Sequence, residues 1–158
     1  LIQPKIILTQ CIFLGIAMTL TLLIKRFYHE AWNSADNDCA REILHPAFDF
    51  RASLGPTRTG PEGFIRYMDE VRASLPDFQC NIIDIVDAGH KAAARMSFVG
   101  THQGEFFGVK GTQRRIEWAG GAFFKSDDRQ ITALWVLGDI DAIKQQLGVT
   151  AGNDFLNS

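Results

Sequence analysis

Paired cysteines are missing from this 158-residue chain. The three cysteines it has, Cys11, Cys39 and Cys80, are odd in number and far apart, which excludes a disulfide framework and the close Cys spacing of structural zinc sites. Free thiols imply a reducing compartment, hence a cytoplasmic protein. Histidine is as sparse: His29, His45, His90 and His102 are scattered, with no His-Glu-x-x-His helix and no carboxylate triad, so no metal site is expected. Positive charge is not concentrated anywhere. The net charge is −2 and there is no basic stripe, so nucleic acid is not an expected partner. Repeats, low-complexity tracts and interdomain linkers are absent, and 46 % apolar residues suffice for one domain with a sizeable core.

Charge is also missing from Ile6 to Ile24. Flanked by Lys5 and by Lys25-Arg26, that stretch is about as long as a membrane-spanning helix requires. It fits a signal peptide less well, because the basic start is thin and no small-x-small cleavage site follows. From Met18 onward the pattern changes: Leu20, Ile24, Phe27 and Ala31 fall on one helical face, opposed by Lys25, Tyr28 and Glu30. The expected organisation is therefore an apolar extension over residues 1–17, a domain over 18–148 and a tail over 149–158. Membrane attachment through residues 6–24 is the alternative to a cytoplasmic location.

Turn signals divide the remainder. Ser34 is placed to cap a short helix through Cys39, Ala40, Ile43 and Leu44, stopped by His45-Pro46. Phe48 to Arg51 reads as a short strand and Ser53 to Gly60 as a loop. Pro61 opens a helix with the stripe Phe64, Met68, Val71 and Leu75, and Pro76 ends it. Strands are predicted over about 78–86, 92–101, 113–125 and 131–137, with turns at Asp87-Ala88-Gly89-His90 and Ser126-Asp127-Asp128-Arg129. Helices first and antiparallel strands afterwards make an α+β domain, with helices packed on one sheet face.

The end of the last strand carries the sharpest chemical signal. Alternation puts Ile131, Ala133, Trp135 and Leu137 on one surface, and Asp139 continues it if the strand persists. A carboxyl desolvated beside an indole has a raised pKa and can move protons near neutral pH. The same Asp139, following Gly138, is also placed to cap the helix with Ile140, Ile143 and Leu147. His102, in phase with Ala94, Met96 and Phe98, is either a hydrogen-bonded structural residue or an acid and donor to substrate. Arg95 shares its face with Ser97, Val99 and Thr101. It either balances an acid or substrate oxyanion or pairs at the surface. Trp118 and Trp135 suit the walls of a pocket for a planar ligand or the core. Glu105 is a candidate rim carboxylate. Arg51, following Phe48 and Phe50, needs a partner if its strand end is enclosed.

Several spaced segments together suggest a family. Gly100-Thr101-His102-Gln103-Gly104-Glu105-Phe106-Phe107-Gly108, Gly111-Thr112-Gln113-Arg114-Arg115-Ile116, Trp135-Val136-Leu137-Gly138-Asp139 and Gln146-Leu147-Gly148 resemble SnoaL-like polyketide cyclases, also called ester cyclases. Arg26-Phe27-Tyr28-His29-Glu30-Ala31-Trp32-Asn33 looks like that family's first helix. The resemblance spans about Met18 to Gly148. It implies the nuclear-transport-factor-2-like fold, in which a curved antiparallel sheet is closed by helices into a cone with an internal pocket. It also implies a cofactor-free protein that forms homo-oligomers, and a role for Asp139 as the general base that opens an intramolecular aldol-type ring closure. The chain departs from the pattern at Ala122 and Arg51, where relatives carry histidine.

The expected function is thus a cyclase or related proton-transfer enzyme acting on a small hydrophobic carbonyl compound. Asp139 and His102 are its catalytic candidates, and Trp135, Trp118, Arg51, Arg95 and Glu105 line its substrate. The alternative is a non-catalytic module that binds a small apolar ligand or a protein. The strand over 117–125 is apolar on both faces, so a homodimer through the sheet is expected.

Overall fold

The computed structural model describes residues 18–149. The expected extension over 1–17 and most of the tail lie outside them. Helix α1 (Leu20–Arg26) starts where the Thr19 hydroxyl accepts the Leu22 N–H. It runs on into a π-helical turn, Phe27–Trp32, closed by the Asn33 N–H on the Tyr28 carbonyl. Leu20, Leu23 and Ile24 are buried in the core, so the last residues of the apolar 6–24 stretch belong to this domain. Among the described residues no helix is long and apolar enough to cross a membrane.

The buried face of this first segment is wider than one residue per turn: Leu23 and Ile24, Phe27 and Tyr28, Ala31 and Trp32 all go inside. Such a stripe is normal for a helix packed on a sheet, and it corrects the placement of Tyr28 on the polar side. The buried Arg26 is held by a two-pronged ion pair to Glu42 at 3.0 and 3.1 Å. Helix α2 (Asn37–Ile43) is capped by Asp36, whose carboxylate accepts the Cys39 N–H. Ser34, the expected cap, instead donates to the His29 carbonyl.

Strand β1 (Leu44–Arg51) begins directly after α2 and includes the His45-Pro46 pair. The short β2 (Arg58–Thr59) leads into α3 (Gly60–Ser74), which has Pro61 in its first turn. Then come β3 (Gln79–Asp87), β4 (Lys91–Thr101), β5 (Arg115–Ser126), β6 (Ile131–Gly138) and α4 (Ile140–Leu147). They form one curved sheet in the order β2-β1-β6-β5-β4-β3. Every neighbouring pair is antiparallel except β1 with β6, which run parallel. That one pair departs from the all-antiparallel expectation.

The inner face collects Ala94, Met96 and Phe98 of β4, Ile116, Trp118, Ala122 and Phe124 of β5, and Leu134 and Val136 of β6. In β6 the expected phase fails. Lys125 faces Ala133 while Ser126 faces Ile131, so Thr132 is an extra residue in that ladder. A bulge of one residue reverses which side chains point inward. Ile131 is buried, but Trp135 and Leu137 are 44 % and 54 % exposed on the outer face.

Candidate functional site

A narrow pocket opens between the inner sheet face and the helices, with a cavity volume of about 40 Å³ inside an atom-free space of about 520 Å³ that includes its open mouth. Its sheet wall is an aromatic stack, with Trp118 5.6 Å from Phe78 and 5.7 Å from Phe98. The opposite wall comes from the π-turn and α3. There Trp32 meets Phe78 and Tyr67 edge-on, and Tyr67 in turn meets Phe50. Asn33 fixes this arrangement, since its side-chain amide donates to the Cys80 carbonyl and accepts the Cys80 N–H at 2.9 and 2.8 Å. The turn is thereby tied to β3.

The third side is the loop between β4 and β5. The Gln103 and Gly104 N–H groups donate to the Ser74 carbonyl, and the Ser74 hydroxyl donates to the Glu105 carbonyl. Gly104 and Gly111 allow the close passage: a Cβ would lie 2.3 Å from the Ala73 oxygen at the first and 1.9 Å from the Gln103 oxygen at the second. The loop so anchored puts Phe106 against the pocket.

Few polar groups reach this interior. Tyr28, Tyr67, Cys80 and Ser53 line it, with no carboxylate, imidazole or amine among the lining residues. Burial pushes the Tyr28, Tyr67 and Cys80 groups well up, so all three stay protonated at neutral pH. The Tyr28 hydroxyl is buried without a hydrogen-bond partner. At the far end of β6, a Cβ on Gly138 would lie 2.9 Å from the Ser53 hydroxyl and 3.2 Å from the Trp118 indole nitrogen. Both donors therefore flank the strand end, one residue before Asp139.

Asp139 is not desolvated. It is exposed, and its Oδ1 caps α4 by accepting the Ala142 N–H at 2.9 Å, while its own N–H donates to the Ala119 carbonyl. The expected shelter beside Trp135 fails because the bulge sends Trp135 to the other face. The pocket-facing side chains of β6 are Leu134 and Val136, both aliphatic. Asp139 adjoins the pocket only through its neighbours Gly138 and Ile140, the latter a lining residue.

The remaining candidates divide between the two faces. Trp118 lines the pocket. Arg51 and Trp135 do come together, but on the outer face: the guanidinium lies 5.1 Å from the indole and donates to the Val136 carbonyl. Arg95 is exposed on that same outer face, opposite Gly121. Glu105 is an exposed loop residue. His102 is fully buried, and its Nδ1 accepts the Thr112 N–H, which leaves Nε2–H to donate to the Val109 carbonyl at 3.2 Å. With both ring nitrogens occupied, it pins the loop that carries Phe106, 6.4 Å away ring to ring. Among the described residues no group of three His, Cys, Asp or Glu side chains is placed to hold a metal ion.

Sequence reasoning passed over Tyr28, Trp32, Tyr67, Phe78 and Phe98 as site residues. The signal that could have found them is aromatic residues at inward positions of several elements, Tyr28 and Trp32 in the first helical segment, Tyr67 in α3, Phe78 at the entry to β3 and Phe98 in β4.

The model of the SnoaL-like polyketide cyclase family matches residues 22–147. No curated protein sequence matches the chain. Among solved structures it is similar to IdmH of Streptomyces antibioticus, provisionally named a polyketide cyclase, with 30 % identity over 82 % of this chain and 98 % of that one and a TM-score of 0.73. TsrD of Streptomyces laurentii shares 26 % identity over 83 % and 96 %, with a TM-score of 0.72. A SnoaL-like protein of Jannaschia, also provisionally named a polyketide cyclase, shares 17 % identity over 83 % and 92 %, and its TM-score of 0.74 marks the same fold.

Proposed function

Because this chain belongs to the SnoaL-like polyketide cyclase family, we propose that it takes a small, flat, hydrophobic carbonyl compound into the aromatic pocket and closes a ring in it by proton transfer. One observation carries the reading. The pocket is walled by Trp118, Phe78 and Phe98, and its rim brings the Ser53 hydroxyl and the Trp118 N–H to the strand end that precedes Asp139. The Asp139 oxygen not used in capping takes the proton next to one carbonyl. The Ser53 and Trp118 donors then stabilise the enolate oxygen. The enolate carbon attacks a second carbonyl of the same molecule, and Asp139 returns its proton to the resulting alkoxide. Holding both carbons in a slot removes the entropy cost of bringing them together. No cofactor enters this sequence, and the reaction calls for nothing beyond the chain and its substrate.

A second reading is favoured by a specific observation: the lining holds no group able to take a proton at neutral pH, and Asp139 is exposed and engaged as a cap. On that reading the cone binds a small apolar molecule without converting it. Replacing Asp139 by Asn separates the two, because Asn still caps a helix but is no base. With a diketone or polyketone substrate that the protein cyclises, Asp139→Asn lowers turnover by about a hundredfold or more at unchanged affinity. Unchanged turnover removes Asp139 from the chemistry and leaves the binding reading.

A further inference from the structure

Tyr28 is the one buried residue of the pocket whose polar atom has nothing to bond. It is 2 % exposed, and its ring is fixed edge-on against Phe27 and Phe124, 5.0 and 6.0 Å away. The phenol therefore cannot swing out to solvent without dislodging the first helix. A buried hydroxyl left unbonded costs free energy that a phenylalanine at the same place would avoid. Tyr28 is one of the residues that line the cavity, so a molecule seated deep in the pocket is placed to satisfy the buried hydroxyl.

We propose that Tyr28 is the specificity-determining donor of this pocket: its O–H donates to an oxygen at the leading end of the ligand, so that the site selects planar apolar molecules bearing an inward-pointing ketone, quinone or ester carbonyl over hydrocarbons of the same shape. This rests on the pocket being the ligand site, and it holds whether or not Asp139 moves a proton. The donor is neutral at physiological pH, because burial holds its proton on. The rest of the interior supplies flat aromatic walls, which grip a ring system without telling one end from the other. Orientation then falls to the single unsatisfied donor, and a carbonyl turned toward Tyr28 leaves the opposite end of the molecule at the Ser53 and Asp139 rim.

Two probes of nearly equal shape test this, 2-acetylnaphthalene and 2-ethylnaphthalene, measured by equilibrium dialysis against the wild-type chain and Tyr28→Phe. The expected result is that Tyr28→Phe weakens the ketone relative to the hydrocarbon by about tenfold, the share of one neutral hydrogen bond. The melting temperature of the ligand-free variant should not fall, since the hydroxyl has no bond to lose. In the wild-type complex, infrared difference spectra should show the bound ketone's C=O stretch below its frequency in an alkane, a readout independent of any variant. An unchanged ketone-to-hydrocarbon ratio in Tyr28→Phe, a clear fall in its melting temperature, or an unshifted carbonyl band overturns the assignment while leaving the pocket as ligand site. Failure of both probes to bind the wild-type chain overturns the pocket reading and the assignment together.

Discussion

Replacing His102 by Leu distinguishes a loop pin from a catalytic acid. The change keeps the volume roughly constant and removes every hydrogen bond the ring makes. The Val109 carbonyl loses the Nε2–H donor, and the Thr112 N–H and hydroxyl lose the Nδ1 acceptor. The Val109 carbonyl keeps the Phe106 N–H, and water can reach the exposed Thr112, so no group is left wholly unsatisfied; losing the two ring hydrogen bonds at about 1 kcal/mol each comes to about 2 kcal/mol. For a domain of this size that lowers the melting temperature by on the order of 8 °C. Circular dichroism melts of both proteins supply the number. The partition of effects matters more than its size: a pin loses stability and keeps turnover in the folded fraction, whereas an acid loses turnover at unchanged stability. A His102→Leu variant that melts with the wild-type chain refutes the reasoning.

Three further outcomes follow from separate features. Ile83, Val86, Phe123, Trp135 and Leu137 are all about half exposed or more on the outer side of the sheet, so we propose that this face is covered by a second copy; light scattering at micromolar concentration should give a dimer, and a clean monomer contradicts that. Asp77 is held below the usual carboxylate range by the Thr101 N–H and hydroxyl, Asp87 by the Thr21 hydroxyl, and Asp127 chiefly by the Gln130 N–H. Groups depressed in the folded state add stability that is complete above their unfolded values of about 3.9 and is lost as pH falls below that. Urea midpoints should drop on acidification below about pH 4, and less so in Asp77→Asn; an equal drop in that variant contradicts the linkage. Gly111→Ala would drive a Cβ into the Gln103 carbonyl, so the loop must shift and Phe106 with it; unchanged stability and probe affinity would argue against that packing.

Much of the frame is legible in the sequence because it depends on local periodicity. The α3 stripe, the β3, β4 and β5 strands and the cap at Asp139 follow from spacing and from Pro and Gly punctuation, and each starts and ends within two residues of expectation. What misled was phase. Thr132 adds one residue to β6, an insertion with no residue-type signature, and it carried Trp135 away from the pocket and removed the apolar shelter expected beside Asp139. The first helix misled through width, since a stripe traced through one residue per turn excluded Tyr28. Arg51 shows the limit differently: its need for partners was legible, but not that they would be an outward-facing indole and a backbone carbonyl. Alternation assigns residues to two faces and does not say which is the inside when both are apolar.

The three tryptophans offer the most direct test of the central claim, because the fold distributes them unequally. Trp32 and Trp118 line the pocket, and Trp135 stands on the outer face beside Arg51. With the indole nitrogens labelled with nitrogen-15 and each signal assigned by a single Trp→Phe replacement, titration with 2-acetylnaphthalene should move the Trp32 and Trp118 N–H resonances and leave that of Trp135 in place. Movement of Trp135 with Trp32 and Trp118 unmoved would place the ligand on the outer face of the sheet and contradict the account.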